Sequence, residues 1–173
     1  YVSGAAKITS SASTNTDTWY NIAVVRSSGT TTMYLDGSSV GTWSDSTTYA
    51  TCPIIIGDYS TFGTYEWTGY MDEIRISDDA RYTANFTPTT TAFTSDANTM
   101  LLIHSNTTMG STTFTDSSSG AHTITANGDV VNVANKVGTG MGAFDGTGDY
   151  LGWISPAPFD CYFGEMDWTI EFW

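Results

Sequence analysis

Basic residues are scarce: five Lys and Arg stand against eighteen Asp and Glu, for a formal net charge of -13. A surface of that sign repels phosphate backbones and anionic lipid, so nucleic acid and membrane surfaces are excluded as partners. The carboxylate excess reads first as a solubility device, with cation binding as the functional alternative. Cysteine is nearly missing. Cys52 and Cys161 have neither metal-ligand spacing nor a redox-pair motif and read as two thiols; a disulfide requires the fold to bring their segments together. His104 and His122 lack a Cys or His companion at ligand spacing, and read as a strand residue and a surface residue. The glycine-rich stretch 138–148 lacks the Lys-Ser/Thr and helix context of a phosphate loop. Neither a signal-peptide pattern nor an apolar run on the order of 18 residues is found, so no segment reads as a membrane helix. There is no fixed-period repeat.

What the chain does have is 40% hydrophobic and 14% aromatic residues with only 13% charged ones, its polarity coming mainly from Ser and Thr. That is the composition of a β protein. A length of 173 residues fits one domain, slightly short for an all-β sandwich.

The most informative stretch is 19–41, WYNIAVVRSSGTTTMYLDGSSVG. Tyr20, Ile22 and Val24 alternate onto one face, as in a half-buried strand. Residues 27–30 break the run, and Met33 and Leu35 return at a spacing of two. Asp36-Gly37 is the dipeptide that most readily supplies the positive φ angles of a tight hairpin. A three-stranded meander is expected.

Further strands are expected at 1–11, 53–57, 69–77 (GYMDEIRIS), 99–104, 122–126 and 167–173 (DWTIEFW). In 69–77, Tyr70, Asp72, Ile74 and Ile76 share one face of a single strand. Residues 77–82 carry capping residues before one helical turn. The Thr, Pro and Asn content of 83–98 marks an extended linker.

The order W-x-x-I-A-V-V-R, polar turn, Y-L-D-G and V-G, with GYMDEIRIS, AFDGTGDYL at 143–151 and DWTIEFW, resembles the laminin G-like domains of the concanavalin A-like lectin and glucanase superfamily. It is similar to the variant found in structural and tail proteins of marine bacteriophages. The resemblance implies an all-β antiparallel jelly-roll sandwich. It also implies an inverted order: 1–82 correspond to the C-terminal half of such a domain, 83–98 to a linker and 99–173 to the N-terminal half. Either a tandem array has been cut at equivalent points, or the halves pair as a permuted sandwich, or a neighbouring chain supplies missing strands. A last strand ending at Trp173 would leave an open edge that recruits copies of the chain into a filament.

For chemistry, Glu165, Asp167 and Glu171 invite a glycan-cleaving reading, because laminarinase-like hydrolases of this superfamily use an E-x-D-x-x-E strand. Here the spacing is one residue longer. Six residues of strand span about 20 Å, whereas a retaining carboxyl pair sits roughly 5 to 5.5 Å apart. Catalysis is therefore not expected. Asp72 and Asp145 are the metal candidates, since in similar domains calcium ties the first and last strands; the alternative is that Asp145 and Asp149 only shape the DGTGD turn. Trp43, Tyr59, Tyr65, Trp67 and Trp153 lie in or beside loops, where rings can stack on sugars or cover the sandwich ends. Asn85 and Asn106 open N-glycosylation patterns. The resulting expectation is a non-enzymatic surface module of a virion or extracellular fibre, assembling with itself and adhering to cell-surface glycans, with a laminarinase-like hydrolase or a monomeric lectin as the alternatives.

Overall fold

The computed structural model describes residues 6–50, 54–58, 65–153 and 163–173. Tyr59, Cys52 and Cys161 lie outside the described residues. The described residues form twelve strands: β1 (Ile22–Ser27), β2 (Thr30–Leu35), β3 (Ser38–Ser44), β4 (Ile54–Ile56), β5 (Thr68–Met71), β6 (Ile74–Ser77), β7 (Thr99–Ile103), β8 (Thr125–Asn127), β9 (Val131–Val133), β10 (Met141–Asp145), β11 (Tyr150–Trp153) and β12 (Trp168–Phe172). Among the described residues no helix is long and apolar enough to cross a membrane.

The 19–41 stretch folds as the expected meander. Its second turn has positive φ at both Asp36 (47°) and Gly37 (72°), the two-residue geometry whose twist matches the flanking strands. Glycine is required there for a second reason, because a Cβ on Gly37 would run into the carbonyl of Phe86.

One six-stranded sheet runs in the order β3-β2-β1-β12-β6-β7, and two three-stranded sheets run β5-β10-β9 and β4-β11-β8. Every paired strand is antiparallel. β12 lies between β1 and β6, with Ile22 opposite Phe172, Val24 opposite Ile170 and Arg26 opposite Trp168. The open edge expected at β12 is therefore absent: both of its sides are hydrogen-bonded, and Trp173 exchanges backbone bonds with Asp72.

The main core joins Val24, Ile74, Ile76, Leu101, Ile103, Trp168, Ile170 and Phe172 of the large sheet to Met71, Phe144, Leu151 and Trp153 of the small ones, with Val130 added from just before β9. The other face of the large sheet is covered too. Ala80, Tyr82 and Phe86 pack on Ala23, Val25 and Tyr34, and Phe86 stacks on Tyr82 with ring centroids 3.6 Å apart.

Three local expectations are corrected. Residues 69–77 are not one strand: Glu73 takes a φ of 51°, and the chain turns a corner at Asp72-Glu73 from β5 into β6, which belong to different sheets. No helical turn forms at 77–82. The Arg81 N–H donates to Thr169 Oγ1, and that hydroxyl donates to the Asp79 carbonyl, so this backbone is held against β12 instead. Residues 6–11 form no strand, although the Ser11 N–H reaches the Val40 carbonyl.

Candidate functional site

On β5, Thr68 and Tyr70 point away from the core, because the alternate residue Met71 is buried in it. Cross-strand pairing places Ala143 beside Tyr70 and Asp145 beside Thr68 on β10, and Val131 of β9 beside Ala143. The outer face of this small sheet thus has a low apolar floor, Ala143 and Val131, and an aromatic wall, Tyr70, which is 51% exposed. A cavity of about 450 Å³ opens over it, and Asp129, Asp145 and Asp149 close one end.

Those carboxylates meet where two turns cross between the small sheets. Asp149 is fully buried; its Oδ1 accepts from the Asp129 N–H at 2.8 Å and its Oδ2 from the Asp145 N–H at 2.7 Å. A Cβ on Gly128 would strike Asp149 Oδ1, which explains the glycine in that turn. The three side chains can each place an oxygen within 4.8 Å of the others. The charges of Asp145 and then Asp149 raise the Asp129 carboxyl above its usual range. Three oxygens at that spacing could hold part of a calcium shell, which takes six to eight oxygens. Glu66 ties the turn to the aromatic strand by accepting from the Gly148 N–H.

Of the predicted metal pair, only Asp145 joins this cluster. Asp72 follows Met71, which pairs with Gly142, at the opposite end of the β5–β10 ladder. It is buried at the corner, where its Oδ2 accepts from the N–H groups of Val137 (2.6 Å) and Lys136 (3.1 Å), while Oδ1 finds no partner among the described residues. Burial pushes its carboxyl up to about 6, and the Glu73 charge adds to this against the pull of those two N–H groups. The unfolded carboxyl titrates near 3.8, so the folded state holds this proton more tightly. The stability Asp72 contributes is present below that pH and lost as pH rises through about 6. Asp72→Asn is expected to raise stability at neutral pH by about 1 to 3 kcal/mol and to flatten its pH dependence between about 4 and 6. Thermal melts across that range check this, and an unchanged slope contradicts it.

The predicted aromatic residues separate. Trp67 (38% exposed) and Tyr65 (71%) lie at or just before β5, and Trp67 meets Phe172 edge-on at 6.4 Å. Trp43 is half-buried on β3 beneath the Lys7 ammonium. Trp153 does not sit in a loop: it is a β11 residue only 2% exposed, packed in the core with His122 at 4.0 Å. A ring buried there offers no face to a ligand. His122 is likewise no free surface residue, since Nδ1 lies 2.6 Å from buried Asp116. His104 pairs with Glu73 at 2.7 Å, and that bond raises its pKa. Asn85 and Asn106 are exposed, Asn85 accepting from the Ser39 N–H.

The three acids read against a hydrolase do not converge. Glu171 is buried on the covered face of the large sheet, where Oε1 accepts from Arg75 Nε and Nη2 at 2.8 and 2.6 Å and Oε2 from the Tyr82 hydroxyl at 2.8 Å. Glu165 and Asp167 line a separate polar cavity and bond to Thr48 Oγ1 and the Ser28 N–H.

Residues 2–85, which contain β1 to β6, match the family model of the concanavalin A-like lectin/glucanases superfamily. They belong to that superfamily. Curated proteins and solved structures give no match. The antiparallel all-β architecture agrees with a concanavalin A-like sandwich, and β7 to β12 complete the pairings of the superfamily region. Asp129 was missed from the sequence. Its signal was the Asn127-Gly128 turn, but only tertiary pairing sets that turn beside DGTGD.

Proposed function

We propose that this concanavalin A-like chain is a non-enzymatic adhesion module of a virion or extracellular surface that holds polyhydroxylated glycans on the outer face of β5-β10-β9. The observation that carries this reading is the alignment of Tyr70, the Ala143–Val131 floor and the Asp129–Asp145 rim along one open cavity. An aromatic wall stacks on a sugar ring, a low floor admits it, and carboxylates accept its hydroxyl hydrogens. Against hydrolysis stands the burial of Glu171 beneath Tyr82, which separates it from Glu165 and Asp167 in their polar cavity. The β12 edge that would recruit further copies of the chain is instead paired with β1 on one side and β6 on the other.

Asp129, Asp145 and Asp149 would hold a structural calcium ion that fastens the two turns under the rim. Adding calcium is then expected to raise the melting temperature by several degrees, an increase lost in Asp145→Asn. Tyr70→Ala is expected to lower affinity for a neutral polysaccharide roughly two- to tenfold without changing the melting temperature, given about 0.5 to 1.5 kcal/mol for one stacked ring. Affinity electrophoresis in agarose and laminarin gels with the wild type and this variant measures it. Equal retardation of the two proteins removes the face from the reading.

A further inference from the structure

Resting on that reading, we infer that the β5-β10-β9 face selects neutral glycans and rejects sulfated or uronic ones. The inference starts from where the chain keeps its few cations. Arg26 is buried, its Nη1 donating to the carbonyls of Gly164 and Met166 and its Nη2 to that of Asp45. Arg75 is paired with Glu171 at 2.6 Å and lies 4.2 Å from the Phe93 ring centroid. Arg81 grips both oxygens of Asp96, at 2.8 and 2.9 Å. The remaining two, Lys7 and Lys136, lie over the rings of Trp43 and Trp173, at 5.3 and 5.2 Å.

None of the five lines the cavity. Lys136 follows β9 and so stands beyond Val133, at the end of the β9–β10 pair away from Asp129 and Asp145. Four residues of strand from Met141 to Asp145 put roughly 14 Å between the two ends, more than the Debye length of about 8 Å at physiological salt. With calcium removed, a ligand on this face therefore meets the exposed carboxylates of Asp129 and Asp145, with buried Asp149 behind them, and no compensating ammonium or guanidinium. Like charge is concentrated at this end of the face, where the three side chains can place oxygens within 4.8 Å of one another. An added sulfate or uronate would add to that charge and would offer no hydroxyl hydrogen to accept, whereas a neutral ring brings hydroxyl donors and an apolar face without charge.

The test compares matched polymers by isothermal titration with calcium chelated: dextran against dextran sulfate, and desulfated against native carrageenan. The expected result is binding of a neutral member at least about tenfold tighter than its sulfated partner, with the gap narrowing as salt rises from 0.05 to 0.5 M. Asp129→Asn, an exposed position whose structural bond is made by its backbone, is expected to narrow the gap as well. Sulfated polymers binding as tightly as neutral ones, or a gap unmoved by Asp129→Asn, overturns the inference while leaving glycan adhesion standing. Binding of neither member, with agarose and laminarin also inert, overturns the adhesion reading itself.

Discussion

Glu171→Gln is expected to destabilise the fold by about 3 to 5 kcal/mol, the cost of removing one partner from a buried ion pair. Glu171 is fully buried and Arg75 only 8% exposed, and Glu171 takes three hydrogen bonds, two from Arg75 and one from Tyr82. The neutral amide would leave the guanidinium uncompensated against the Phe93 ring, and with its NH2 turned to the Tyr82 hydroxyl it would offer Arg75 only a neutral oxygen. The same pair anchors the 78–98 segment on the large sheet, together with the Glu73 carboxylate that accepts from the Phe93 N–H. Urea unfolding of the variant measures the loss. Replacing both partners, Arg75→Met with Glu171→Met, is expected to recover most of it, because no charge is then stranded. A loss under about 1 kcal/mol for Glu171→Gln would mean that the pair is open to water.

Trp168→Ala is expected to cost a similar 3 to 5 kcal/mol, about the cost of removing a large aromatic ring from a core. Trp168 is 6% exposed and packs edge-on against Tyr49 at 5.9 Å and at a tilt against Phe163 at 5.3 Å. Tyr49 precedes the 83–98 stretch and Trp168 follows it, so the loss would register a core shared by both parts of the chain. For a chain of this size each kcal/mol shifts the melting temperature by roughly 2 to 4 °C, so a drop of about 10 °C is expected. Trp43→Ala, on a half-buried ring, is the control and is expected to shift it far less. Hydrogen exchange resolves where the damage goes: faster exchange in β1 and β6 as well as β12 is expected, and acceleration confined to β12 contradicts a common core.

The meander was legible because Ile22, Val24, Met33 and Leu35 keep a period of two and Asp36-Gly37 names its own turn. DWTIEFW was equally legible as a strand, and its alternation puts Trp168, Ile170 and Phe172 on the core face and Thr169 and Glu171 on the other. What the alternation cannot carry is a corner. Glu73 takes the left-handed conformation with no glycine to announce it, so 69–77 reads as one strand although β5 and β6 belong to different sheets. Trp153 fails for a related reason: a ring near Gly and Pro looks like a loop residue until pairing with Ile54 makes it interior. Residues 83–98 have linker composition, yet Phe86 and Phe93 pack down, as Tyr82 does just before them, because their rings gain more from the sheet than the segment loses in freedom. On the candidate face, Asp145 was visible in DGTGD. Asp129 and the apolar floor became visible only when β9, β10 and β5 aligned.

The most direct measurement of the adhesion reading is a chemical-shift titration of the labelled protein with a neutral oligosaccharide such as agarohexaose. The account predicts saturable shifts concentrated at Tyr70, Ala143, Val131 and Asp129. Shifts concentrated instead at Ser28, Ser46 and Glu165, around the other polar cavity, would contradict it.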